Sequence, residues 1–170
     1  VMLAYYNDGY ASDCEDTDPC PYVYVYSVKK GVLRRVGTSP YDHVLPYLFF
    51  SGAFVNGCLH WMGRSVSDYH SVISAFDLTR EVFDEIPPPD GVDMRRFEFC
   101  YGLTVLGGCL CTIDHVKSSG RTDVWIMKDY GLGNSWTKFS IEVGCVERDL
   151  NLIKPLCYFG DEEDVVLVND

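Results

Sequence analysis

Basic residues are scarce in this 170-residue chain: 14 Lys and Arg face 25 Asp and Glu, a formal charge of −11 at pH 7. That balance disfavours nucleic-acid phosphate and anionic membrane surfaces as partners, and it suits a basic protein. Acidic loops also serve simply to keep a strand-rich protein soluble. No run of about eighteen apolar residues occurs, so nothing reads as a membrane-spanning helix. Val1 to Asp8 lacks a basic region ahead of an apolar one and does not read as a signal peptide. Catalytic signatures are missing as well. There is no Gly-x-Ser-x-Gly elbow, no His-Glu-x-x-His and no glycine loop shaped for phosphate, so no catalytic residue is assigned. Helical periodicity is absent except for a short turn expected within Val146 to Ile153.

Eight cysteines are present, but their context argues against a disulfide framework. Cys58, Cys109 and Cys111 sit inside apolar strand patterns, where a free thiol behaves as a small hydrophobe. No Asn-x-Ser/Thr acceptor supports secretion, and a reducing compartment, cytoplasm and/or nucleus, is expected. Cys14 and Cys20, flanking an acidic loop, are the pair that could bridge. Zinc needs four ligands, usually in paired spacings. Cys109 and Cys111 with His60 and His115 fall short of that, so neither metal nor cofactor is expected.

What the chain does have is a repeat. Val23 to Val36 and Ile73 to Ile86 align at an offset of fifty residues, placing Tyr26 on Phe76, Leu33 on Phe83 and Val36 on Ile86. Val124 to Phe139 is a third copy, with Met127 and Trp136 at the matching positions. A second element recurs between them, with Gly57 and Leu59 matched by Gly108 and Leu110. Val, Tyr, Phe and Trp dominate these stretches and favour strands. Asn56-Gly57 supplies the two positive-φ positions of a tight hairpin turn, and Pro87-Pro-Pro89 ends strand pairing because proline has no N–H to donate. Repeats of this length built from short strands indicate an all-β fold of kelch-type propeller blades, each a four-stranded antiparallel sheet. About three blades and the start of another are expected, with Leu156 to Phe159 and Val165 to Val168 beginning the last. That is too few to close a ring of about four to eight blades, so residues 1–170 read as one incomplete propeller. The large repeated residues Trp61, Phe76, Phe83, Trp125 and Trp136 are expected to pack between blades, and Asp77 and Asp129 to accept backbone N–H bonds in turns.

In order along the chain, Val23-Tyr-Val-Tyr-Ser-Val28, Gly52-Ala-Phe-Val-Asn-Gly-Cys-Leu-His-Trp-Met62 and Ile73-Ser-Ala-Phe-Asp-Leu-Thr-Arg-Glu-Val-Phe-Asp-Glu-Ile-Pro-Pro-Pro89 are followed by Leu106-Gly-Gly-Cys-Leu-Cys111 and Val124-Trp-Ile-Met-Lys-Asp-Tyr-Gly131. Together these stretches resemble the F-box-associated domain of plant kelch-like F-box proteins. The resemblance implies a substrate receptor of an SCF-type ubiquitin ligase. An F-box, absent ahead of Val1, would dock to the Skp adaptor and hence the cullin, and the associated domain would capture the target protein. The alternative is a propeller-type glycosidase-like or small-ligand-binding domain. Asp129 to Trp136 is faintly similar to the Asp-box turn of sialidase-like propellers, with the spacing off. A glycosidase further needs two carboxylates converging on one cleft.

For protein binding, loops on a rigid scaffold should carry the contacts. The candidate loops are Tyr10 to Asp18, Tyr41 to Phe50, Asp90 to Phe99 and Lys117 to Thr122. Within them Tyr41, Tyr47, Phe49, Phe50, Arg95 and Arg96 are of the types enriched among interface anchors.

Overall fold

A computed structural model describes residues 2–6, 22–42, 52–68, 70–92, 101–116, 121–142, 153–159 and 164–169. Fourteen strands follow in chain order: β1 (Met2–Tyr6), β2 (Tyr22–Ser27), β3 (Val32–Thr38), β4 (Tyr41–Asp42), β5 (Ala53–Val55), β6 (Cys58–Ser65), β7 (Ser71–Asp77) and β8 (Val82–Ile86), then β9 (Tyr101–Leu106), β10 (Cys109–Val116), β11 (Arg121–Met127), β12 (Trp136–Glu142), β13 (Ile153–Phe159) and β14 (Asp164–Asn169). Between β11 and β12 lies a single 3-10 turn, Gly133–Ser135. The fold is all-β, and every pairing is antiparallel.

Four sheets form, and they are the blades of part of a propeller. Blade 1 is β1-β2-β3, blade 3 is β9-β10-β11-β12, and β13-β14 pair as a fourth sheet. Blade 2 is β6-β7-β8 with its inner edge shared by two short strands: β5 pairs Cys58 to His60, and β4 pairs Arg64 and Ser65.

Local chemistry explains the turns. Asn56 (φ 50°) and Gly57 (φ 78°) adopt the paired positive angles expected of Asn-Gly, and Gly107 and Gly108 repeat them in blade 3. Asp77 Oδ1 accepts the backbone N–H groups of Thr79 and Arg80 at 2.7 and 2.9 Å, the role read from the sequence. Those two bonds hold its carboxyl below the ordinary value. At Asp129 the turn closes differently: its backbone carbonyl accepts from the Ser135 hydroxyl and the Leu132 N–H.

The fifty-residue repeat has a packing meaning. Phe76 and Phe83 face each other across β7 and β8, and Phe76 joins Val23 and Val25 of blade 1 in one buried cluster, with Trp61 and Phe83 against it. Met127 and Trp136 occupy the same cross-strand positions in blade 3 and pack on Met62, Ile73 and Ile86 of blade 2, with Trp125 beside them. Each blade thus lays its outer-hairpin pair on the blade before it. The blade 1 counterparts are Tyr26 and Leu33, which also pair across their strands, but here Leu33 is 55% exposed.

Candidate functional site

A groove of about 290 Å³ opens between blades 1 and 2. Val23, Val36 and Pro40 line one side; Phe76, Val82 and Phe83 line the other. A β-bulge shapes it. The β2–β3 register shifts between Val23 and Tyr24, leaving Val36 as the extra residue, and Val36 and Gly37 both reach the groove as a result. Among the described residues Glu81 is the one charged residue in the lining, and Arg34 of blade 1 grips both of its carboxylate oxygens, the longer bond 2.7 Å. The guanidinium holds the Glu81 carboxyl below its usual range.

Of the six anchor candidates, Tyr41 falls within the described residues. It is buried rather than presented: its ring meets Phe83 edge-on at 5.9 Å between centroids, and Phe83 in turn meets Phe76 at 4.9 Å. Burial, reinforced by the Glu85 carboxylate, pushes its phenol up to about 12. Tyr41 therefore backs the groove instead of lining it. Tyr47, Phe49, Phe50, Arg95 and Arg96 lie outside the described residues, as do most of the four candidate loops and the Cys14–Cys20 pair. The expected short turn at 146–153 also lies outside them, except for Ile153 at the start of β13. What sequence reasoning missed is the groove itself. Its available signal was the alignment of Leu33 and Val36 with Phe83 and Ile86, which put the outer hairpins of neighbouring blades side by side.

The interface between blades 2 and 3 is tied by polar bonds. His60, fully buried, sets Nδ1 2.9 Å from the Ala53 carbonyl and Nε2 2.8 Å from the Tyr130 hydroxyl. The carbonyl can only accept, so Nδ1 carries the proton and Nε2 accepts from Tyr130. Burial lowers the imidazole's basicity, the Ala53 bond opposing it in part, while burial and Cys58 push the Tyr130 phenol well up. The Trp136 indole N–H donates to the Pro87 carbonyl at 2.8 Å, anchoring blade 3 to the end of β8.

Chemically, this arrangement offers a docking surface. A glycosidase-like site would need a second carboxylate beside Glu81 and a raised acid; among the described residues the groove lining has one carboxylate, already paired and depressed. Asp123 is buried, which opposes its ionisation. Bonds from Ser140, Arg121 and Lys138 outweigh that and hold it ionised on blade 3, away from the groove. Among the described residues no group of three or more His, Cys, Asp or Glu could hold a metal. Cys58, Cys109 and Cys111 are free thiols, and burial raises that of Cys111 to about 12. Among the described residues no helix is long and apolar enough to cross a membrane.

Residues 2–169 match the family described as the F-box associated beta propeller domain. The chain belongs to that family. F-box protein CPR1 of Arabidopsis thaliana is 29% identical over 169 residues, covering 91% of this chain and 41% of that protein. An F-box/kelch-repeat protein of the same plant is 34% identical over 114 residues, 67% of this chain and 30% of its own length. A further Arabidopsis thaliana F-box protein is 40% identical over 108 residues, 62% of this chain and 24% of its own. This F-box-associated propeller chain therefore spans well under half the length of these relatives. Its groove lies wholly within the matched region.

Proposed function

We propose that this chain is the target-binding module of an F-box protein, acting as substrate receptor in an SCF-type ubiquitin ligase in the cytoplasm and/or nucleus. The Skp adaptor and cullin would be engaged through an F-box elsewhere in the protein, leaving this domain free to hold the target. The observation that carries this reading is the open, mostly apolar groove between blades 1 and 2 of an F-box-associated propeller. Interface anchors are apolar or aromatic side chains seated in such pockets. Tyr47, Phe49, Phe50, Arg95 and Arg96, in the chain segments that follow β4 and β8, are proposed as further contacts, with Tyr41 supporting Phe83 from behind.

The test is affinity capture of the full-length protein from plant cells under proteasome inhibition, beside a Val82→Glu variant that charges the groove. The wild type is expected to recover Skp, cullin and a stabilised, ubiquitinated protein. The variant should keep the first two and lose the third. Absence of ligase subunits from the wild-type capture would end the receptor reading, and retention of the target by Val82→Glu would move its site away from the groove.

A further inference from the structure

The two seams between neighbouring blades are copies of one repeat, and they are filled differently. Between blades 2 and 3, Ile86 is buried in one cluster with Trp136. The Trp136 indole N–H donates to the carbonyl of the residue after Ile86, Pro87, at 2.8 Å. Cross-strand register gives the residues at the same places between blades 1 and 2. Trp136 faces Met127 and Phe83 faces Phe76, so Phe83 holds the place of the tryptophan. Ile86 faces Ile73, whose fifty-residue counterpart is Val23, and Val23 faces Gly37. The bulge makes this shift: the repeat aligns Val36 with Ile86, but the extra residue puts Gly37 there and Thr38 at the place of Pro87. The seam is thus pared back twice, from Trp to Phe and from Ile to Gly, and the groove is the space that remains. Gly37, Thr38 and Phe83 all line it, and a Cβ added at Gly37 would meet no atom of the described residues within 4 Å.

We propose that the groove seats a tryptophan side chain of the target, its indole laid over Gly37 beside Phe83 and its ring N–H donated to the Thr38 carbonyl, as Trp136 donates to Pro87. This rests on the receptor reading above and names the side chain by which the target is held. Complementarity selects that residue. The charge in the described lining, Glu81, is already matched by Arg34, so a charged anchor would be buried against apolar walls without a partner. An aliphatic anchor would fill the space and leave the carbonyl unused. Indole brings a large apolar body and a single donor, which is what the filled seam uses. A carbonyl oxygen has two lone pairs, so Thr38 can accept from the indole in addition to any bond within its own sheet.

A phage-displayed library of random peptides, panned on the full-length protein and on its Gly37→Ile variant, tests this. Gly37 has no positive φ for isoleucine to strain, and filling the seam should raise the melting temperature. Peptides enriched on the wild type are expected to share one Trp and to bind Gly37→Ile about tenfold or more weakly. Phe83→Trp, which restores the side chain of the next seam, is a second blocked variant and should lose the same peptides. Replacing the peptide Trp by 1-methyltryptophan keeps the ring and removes the donor, and should weaken binding about fivefold. Enrichment of peptides without Trp, no enrichment, equal binding by both blocked variants, or equal binding of the methylated peptide overturns the proposal. So does N-acetyl-tryptophan amide binding as tightly as the peptides, which would make the groove a small-molecule site. Because panning needs no ligase subunits, Trp peptides with no Skp or cullin recovery would sink the receptor reading alone. Skp and cullin recovery with peptides lacking Trp would sink the tryptophan seat alone.

Discussion

Glu81 sits where the repeat calls for glycine. The turns that close the outer hairpins place Gly31 at φ 63°, Glu81 at φ 57° and Gly131 at φ 83°, one position in three successive blades. The left-handed region costs an L-residue roughly 1–2 kcal/mol, which glycine avoids. Against this, glycine gives the unfolded chain extra freedom worth about 0.4–1 kcal/mol. A Glu81→Gly protein should therefore be more stable than Glu81→Ala by about 0.5–1 kcal/mol, because both lose the contact with Arg34 and only one sheds the strain. That contact is exposed and screened by solvent, so it contributes little. Glu81→Gly should thus sit near the wild type, and Glu81→Ala below it. Urea denaturation of the three proteins, with slopes compared to confirm that midpoints report stability, makes the measurement. If Glu81→Ala proved as stable as Glu81→Gly, strain at this turn would be refuted. A marked loss in both would mean the ion pair, not the backbone, governs the site.

Other tests address the interface between blades 2 and 3 and the ionisable groups. Tyr130→Phe leaves the buried His60 Nε2 without its donor and should cost about 1–3 kcal/mol in unfolding measurements. His60 is less basic folded than unfolded, so its contribution is fully present above its ordinary value of 6.5 and declines as pH falls below that. His60→Gln should flatten the stability profile just below pH 6.5, while the acid loss from Asp77, Glu81 and Asp123, all depressed, persists at lower pH. Trp136→Phe keeps the packing but drops the bond to Pro87, for an expected loss of about 1 kcal/mol. In native alkylation read by mass spectrometry, Cys111 should react last of Cys58, Cys109 and Cys111, being fully buried with a raised pKa.

The turns and the repeat were legible because both are written locally: Asn56-Gly57, the prolines at 87–89, and the recurrence of Phe76 at Met127. The faces those residues use were not. Leu33 aligns with Phe83, yet one is exposed and the other packed, because burial depends on the neighbouring blade that the pair is laid on and not on the residue's own strand. Tyr41 has the composition of an interface anchor, but β4 pairs with the end of β6 and turns its ring onto Phe83. The Arg34–Glu81 and His60–Tyr130 contacts join residues 47 and 70 positions apart, and only the stacking of blades brings them together.

The two blade interfaces are unlike in one respect that bears on how the molecule comes apart. Between blades 2 and 3 the polar ties, His60 to Tyr130 and Trp136 to Pro87, each start from a buried side chain. Between blades 1 and 2 the polar tie, beside the buried cluster of Val23, Val25 and Phe76, is a surface ion pair at an open groove, weakened by salt and reached from outside. The propeller thus has a line of weakness built in, at the seam where a ligand would enter. An occupant wedged there would act as a splint, and without one the domain should open along that seam before the one between blades 2 and 3.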